Sequence, residues 1–235
     1  MKKVFMVLVL VLCVSVVQAA VISANFTSDS FEVTPTASHG LSGYQATNWN
    51  NVDTTGAVNW YDPTSASGLA LNDNTGADSG ATVSYGPAWT WYDGSVWGND
   101  NAGTVYLNGP GWADPIPTIT VTNVPYDLYT VIVYHGTEEG ANEATGFAPV
   151  TVNGALQAAC TNSGTFGTVG GWVDGRNSRV VTGLTGATMT IDIAPVSGSI
   201  QSSIAGFQIV EVPEPATMAL LSLGSLALIR RKKCK

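Results

Sequence analysis

The chain has 235 residues with a formal net charge of −8, room for one ordinary domain or one large β-domain. Of its 17 acids only Glu214 lies outside 20–211, and of its nine basic residues only Arg176 and Arg179 lie inside that stretch. A body so acidic and free of lysine excludes a nucleic-acid binder, which needs cations for phosphate contacts, and a protein that clings to an anionic membrane surface.

The first segment is a leader. Lys2 and Lys3 precede an apolar run over 4–17, and Val17-Gln18-Ala19 fits the small-residue rule for cleavage. This predicts a secretory signal peptide over 1–19, helical in the precursor and outside the fold of the body. Cys13 follows Leu12 rather than a small residue, which argues against a lipidation site.

The body, 20–211, reads as all-β, with short apolar runs bounded by Gly, Asn, Asp, Thr and Ser and no long amphipathic helix. The first strand is expected over 21–26, with Ile22, Ala24 and Phe26 on one face. From 27 to 57 the chain is polar and reads as long loops. Asn72-Asp73-Asn74 with Asp78 forms an oxygen-rich loop, as does Asn99-Asp100-Asn101. Neither has EF-hand spacing. Backbone-bonded Asx turns are the simpler reading, and a structural Ca²⁺ stays open.

A strand over 81–85 leads into the most unusual stretch, YGPAWTWYDGSVWGNDNAGTVYLNGPGW, over 85–112. It holds Trp89, Trp91, Tyr92, Trp97 and Trp112, including four of the chain's seven tryptophans. Trp89 and Trp91 share a face if extended. These residues suit three roles: stacking platforms for sugar rings beside Asn and Asp, aromatic packing inside a sandwich, or an exposed aromatic patch that contacts another protein.

Strands follow over 103–108 and 119–122. The strongest, YDLYTVIVY over 126–134, is apolar on both faces and belongs at the centre of a sheet. His135 ends it, with Glu138 and Glu139 close by. That trio is a candidate metal or acid/base site, against a simpler reading as a solvated loop with His135 capping the strand end. A hairpin is expected over 149–158 around Asn153-Gly154. Cys160 is the only cysteine of the body, so it makes no disulfide within it and reads as a small buried hydrophobe, with pairing between molecules as the alternative. Strands over 188–193 and 204–212 complete the set. Strands at this spacing without intervening helices predict a two-sheet β-sandwich.

The tail, 212–235, is different in kind. Pro213 and Pro215 impose an extended segment around Glu214. An apolar run over 216–229 would span roughly 21 Å as a helix, short of the ~30 Å hydrocarbon core. Arg230, Arg231, Lys232 and Lys233 can snorkel to extend it, and by the positive-inside rule they stay cytoplasmic. Leader and tail therefore agree on an outward-facing body.

Val212-Pro213-Glu214-Pro215, the apolar run and the closing basic cluster resemble the PEP-CTERM protein-sorting signal. The resemblance implies an exported envelope protein, a membrane-anchored precursor, processing by an exosortase that reads Pro213, Glu214, Pro215, Arg230 and Arg231, and a link to exopolysaccharide. Over 119–210, YDLYTVIVY, the Asn153-Gly154 turn and the final Ile204-Ala205-Gly206-Phe207-Gln208-Ile209-Val210 are similar to the galactose-binding-like jelly-roll domains of secreted bacterial proteins. That resemblance implies the fold, a carbohydrate ligand and the structural Ca²⁺ such domains often carry.

For catalysis the residues offer little. His39 and His135 are the only histidines, there is no Gly-x-Ser-x-Gly elbow, and no carboxylate pair stands out. The expected function is a non-catalytic cell-surface or matrix protein, sorted through its tail and binding polysaccharide through the tryptophan stretch, with no resident cofactor or catalytic metal. The alternative is a secreted polysaccharide-active hydrolase.

Overall fold

The computed structural model describes residues 19–27, 38–53, 64–93, 104–108, 116–135, 146–161, 172–193, 200–201 and 204–213. The expected leader helix and the segment over 216–229 lie outside the described residues. Among the described residues every regular element is a strand, and no helix is long and apolar enough to cross a membrane.

The strands are β1 (Val21–Thr27), β2 (Asn50–Asp53), β3 (Thr64–Asn72), β4 (Asp78–Asp93), β5 (Thr104–Asn108), β6 (Ile116–Thr122), β7 (Tyr129–Tyr134), β8 (Gly146–Phe147), β9 (Val150–Val152), β10 (Ala155–Leu156), β11 (Ser178–Leu184), β12 (Thr188–Ile193), β13 (Ile200–Gln201) and β14 (Gly206–Glu211). They form a five-stranded sheet in the order β11-β7-β14-β1-β2 and a seven-stranded sheet in the order β10-β9-β12-β6-β4-β3, with β5 paired to β4. β8 and β13 make a small parallel pair.

Alternation puts one face of each sheet into a shared core. The five-stranded sheet contributes Ile22, Ala24 and Phe26 from β1, Tyr129, Val131 and Val133 from β7, and Phe207 and Ile209 from β14. Opposite them lie Val83 and Tyr85 of β4, Ile119 and Val121 of β6, and Met189, Ile191 and Ile193 of β12. Phe26 meets Tyr85 edge-on across the gap, with ring centroids 5.5 Å apart. Two sheets facing one core make a sandwich-like arrangement, and the all-β, two-sheet expectation holds.

The second faces of the two sheets differ. On the seven-stranded sheet it carries hydroxyls in register: Thr82, Thr122 and Thr188 form one row, and Ser84, Thr120 and Thr190 the next. Thr82 and Thr122 share a hydrogen bond of 2.9 Å, and Thr118 donates to Asp192. The second face of the five-stranded sheet is instead buried. Ser23 and Asn25 of β1, Thr130, Ile132 and Tyr134 of β7, and Gln208 of β14 all point away from the shared core and are still inaccessible. This is why YDLYTVIVY lacks alternation: all six residues of β7 are buried.

The cover over that face includes residues 38–49, from the stretch expected to be long loops. His39 and Ala46 exchange backbone hydrogen bonds, a turn joins Tyr44 N–H to the Leu41 carbonyl, and the Trp49 indole donates to the Ala46 carbonyl. Trp49 and Trp172 both pack on the Tyr134 ring, at centroid distances of 5.8 and 4.7 Å. The same stretch ends in β2, which lies parallel to β1. Within 38–53 the long-loop expectation holds for 38–49, which is irregular chain used as a cover, and is corrected at 50–53, which is the edge strand β2.

Candidate functional site

The first and last strands of the body are neighbours. β1 pairs antiparallel with β14 from Val21↔Val210 to Asn25↔Gly206, and β14 is held on its other side by β7. The ladder closes with the Glu211 N–H donating to the Ala20 carbonyl at 2.9 Å, while the Ala20 N–H reaches the Glu211 carboxylate at 3.3 Å. Val212 and the exposed Pro213 follow at once. The chain therefore leaves a fully hydrogen-bonded strand two residues before the Pro-Glu-Pro segment begins. Proline at 213 cannot donate to a ladder, so the sheet stops where the tail starts.

A buried polar cluster positions β14. The Tyr134 hydroxyl donates to Gln208 Oε1 and accepts from Leu41 N–H at 3.0 Å. Gln208 Nε2 donates to Ser23 Oγ at 2.9 Å and to the Tyr44 carbonyl at 3.0 Å. One glutamine thus ties β7, β1 and the cover segment to the last strand. Burial pushes the Tyr134 phenol well above its ordinary range. Gly40, at φ 118°, passes so close that a Cβ there would lie 2.8 Å from Gln208 Oε1. Nothing in the sequence singles out Gln208, a lone polar residue on an otherwise ordinary strand.

The start of β1 is fastened by the hairpin between β3 and β4. Val21 N–H donates to Asn74 Oδ1 at 3.1 Å and Asn74 N–H to the Val21 carbonyl at 2.7 Å. Asn50 binds both Ser23 and Asn72 carbonyls at 2.8 Å, and Asn48, in the left-handed region at φ 56°, reaches the Asn74 carbonyl. Asp73 Oδ1 accepts from Thr75 N–H, Thr75 Oγ1 and Ala77 N–H, and these bonds, with the Thr75 hydroxyl first, hold its carboxyl below the usual range. In this oxygen-rich loop Asp73 Oδ1 makes an Asx turn to Thr75 N–H, whereas Asn74 Oδ1 is taken by Val21 N–H of β1. Asn99, Asp100 and Asn101 lie outside the described residues.

Trp89, Trp91 and Tyr92 lie on β4, where Trp89 pairs with Asn108, Trp91 with Tyr106 and Tyr92 with Val105 of β5. Their side chains, and all of Trp97 and Trp112, lie outside what the structure describes. His135, just after β7, is fully buried and stacks on Phe147, with centroids 4.7 Å apart and planes 13° from parallel. Glu138 and Glu139 lie outside the described residues. His39 is buried in the cover segment. Cys160 is buried and free, as its lone position in the body predicts. Its Sγ donates to the Ser178 carbonyl, and burial pushes the thiol up against the opposing pull of Arg179. Among the described residues no group of three or more His, Cys, Asp or Glu is placed to hold a metal. Glu214, Pro215, Arg230 and Arg231 also lie outside the described residues.

No curated protein and no solved structure matches the chain. Residues 211–233, beginning at the last residue of β14, match the family model described as the PEP-CTERM protein-sorting motif. The chain therefore carries a PEP-CTERM sorting motif joined directly to its final strand, and this marks an exported, envelope-associated protein sorted by an exosortase.

Proposed function

We propose that the protein is a non-catalytic component of the cell surface or extracellular matrix. The leader over 1–19 exports it, the segment over 216–229 holds the precursor in the membrane with the body outward, and processing near Pro213 to Pro215 sets the body free or attaches it. The observation that carries this reading is the sorting motif starting where β14 ends.

The body contacts neutral polysaccharide. Three features support this. The hydroxyl rows of β4, β6 and β12 offer paired donors and acceptors like those of sugars. The tryptophan-bearing part of β4 is paired to β5, which places Trp89 and Trp91 on a two-stranded ribbon. The acidic body repels polyanions, which is compatible with an uncharged chain as partner. The jelly-roll resemblance belongs to the same proposal.

The test has two arms. Intact mass of the protein extracted from its own envelope is expected to end near Pro213 to Pro215, and a mass running to Lys235 would sink the processing reading. Retention on insoluble neutral polysaccharide is expected for the native chain and lost in the Trp89→Ala/Trp91→Ala variant. Release of reducing ends from the same polysaccharide would instead establish a hydrolase.

A further inference from the structure

We propose that removal of the leader creates a terminal clasp: the new α-ammonium of Ala20 pairs with the Glu211 carboxylate and locks the first strand onto the last at the root of the sorting tail. The inference rests on the export reading above.

Before cleavage, Ala20 offers Glu211 a single amide N–H at 3.3 Å. A leader peptidase adds water across the Ala19–Ala20 amide. The C–N bond breaks, the water oxygen stays on Ala19 as carboxylate, and the Ala20 nitrogen leaves as an amine, protonated at neutral pH. A neutral donor becomes a cation with three N–H groups, already within reach of a carboxylate. The bond is already charge-assisted through its carboxylate acceptor, and cleavage adds the attraction of a full positive charge on the donor.

The surroundings are prepared for a cation. Tyr126 lies close enough to Glu211 and Asp73 that, after burial, these two carboxylates push its phenol up further. The arginines of the body, Arg176 and Arg179, belong to the β11 region, where Arg179 faces Asp174 at 3.8 Å. The backbone is fixed on either side: Glu211 N–H binds the Ala20 carbonyl at 2.9 Å, and Val21 exchanges two hydrogen bonds with Asn74. Cleavage therefore changes the charge of the terminal atom while its position is already set. Since Glu211 is also the first residue of the matched sorting motif, N-terminal maturation firms the strand that runs directly into that motif.

The experiment compares four forms of the full chain exported from its own envelope: cleaved and leader-retaining (Ala19→Phe, which violates the small-residue rule), each with Glu211 or Glu211→Gln. Glu211→Gln is expected to lower the melting midpoint of the cleaved form by about 2–4 °C and that of the leader-retaining form by less than half as much. Equal losses in both backgrounds would overturn the clasp. Peptide mapping of the exported protein tests the reading beneath it, because an N-terminus other than Ala20 refutes that cleavage site. In that event a chain given Ala20 as its terminus by a site-specific protease is put through the same comparison. There too, an effect of Glu211→Gln no larger than in the leader-retaining form overturns the clasp.

Discussion

Tyr134→Phe removes one oxygen atom from the buried cluster that positions β14. Two groups lose their partner: the Leu41 N–H, 3.0 Å away, and Gln208 Oε1. A buried polar group left unsatisfied costs about 1–3 kcal/mol, so the pair should cost about 3 kcal/mol once partial relaxation is allowed. For a unit the size of Ala20–Glu211 that corresponds to a fall of roughly 6–12 °C in melting midpoint. Tyr129→Phe supplies the control. Tyr129 lies on the same strand and is equally buried, but its side chain points to the shared core and its hydroxyl has no hydrogen-bond partner among the described residues. Removing that hydroxyl is expected to be neutral or slightly stabilising. Thermal and urea unfolding followed by circular dichroism measure both variants. Equal losses in the two, or a Tyr134→Phe loss below about 1 kcal/mol, would refute the assignment of the cluster as the element that fixes the last strand.

Three further outcomes are expected. Gly206→Ala should destabilise by about 1–3 kcal/mol or more, because its Cβ would lie 2.3 Å from the Ala24 carbonyl oxygen, a backbone atom in the neighbouring strand; urea unfolding reads this out. Tyr126 is pushed up to about 12, by burial first and then by Glu211 and Asp73. Above pH ~10 the unfolded chain releases this proton while the folded one keeps it, so stability falls as pH rises from ~10 towards 12, and the fall should be shallower in Tyr126→Phe. Cys160, with its thiol pushed up by burial, should resist alkylation at pH 8 in the native protein and react quickly in urea; peptide mapping distinguishes it from the other cysteines.

The sequence revealed most where one physical rule acted alone. Ile22, Ala24 and Phe26 alternate because β1 buries one apolar face, and Asn153-Gly154 marks its hairpin because both residues adopt positive φ. It revealed less where tertiary context decided. β3 is built of small residues without clear alternation, since it is an edge strand with three irregularities in its register. β11 was missed for a similar reason: it is an edge strand whose register shifts between Val181 and Leu184, across Gly183 at φ 74°. The polar stretch over 38–53 read as loops because its value lies in capping polar groups on a sheet face, and no periodicity records that. The sorting tail was legible for the opposite reason: an enzyme reads it as a linear pattern, so its information has to lie in the order of residues.

The position of β14 has a mechanical consequence. On the proposed attachment through the tail, drag would enter the body at Glu211, the end of a strand flanked by β1 and β7. Pull directed along that strand loads both ladders in shear, so their hydrogen bonds share the force instead of opening one after another. The Gln208 ties to Ser23 and Tyr44 cross the direction of sliding and add resistance. Single-molecule pulling through the C-terminus should therefore meet a higher rupture force than pulling across the β9–β10 hairpin, where bonds part in sequence.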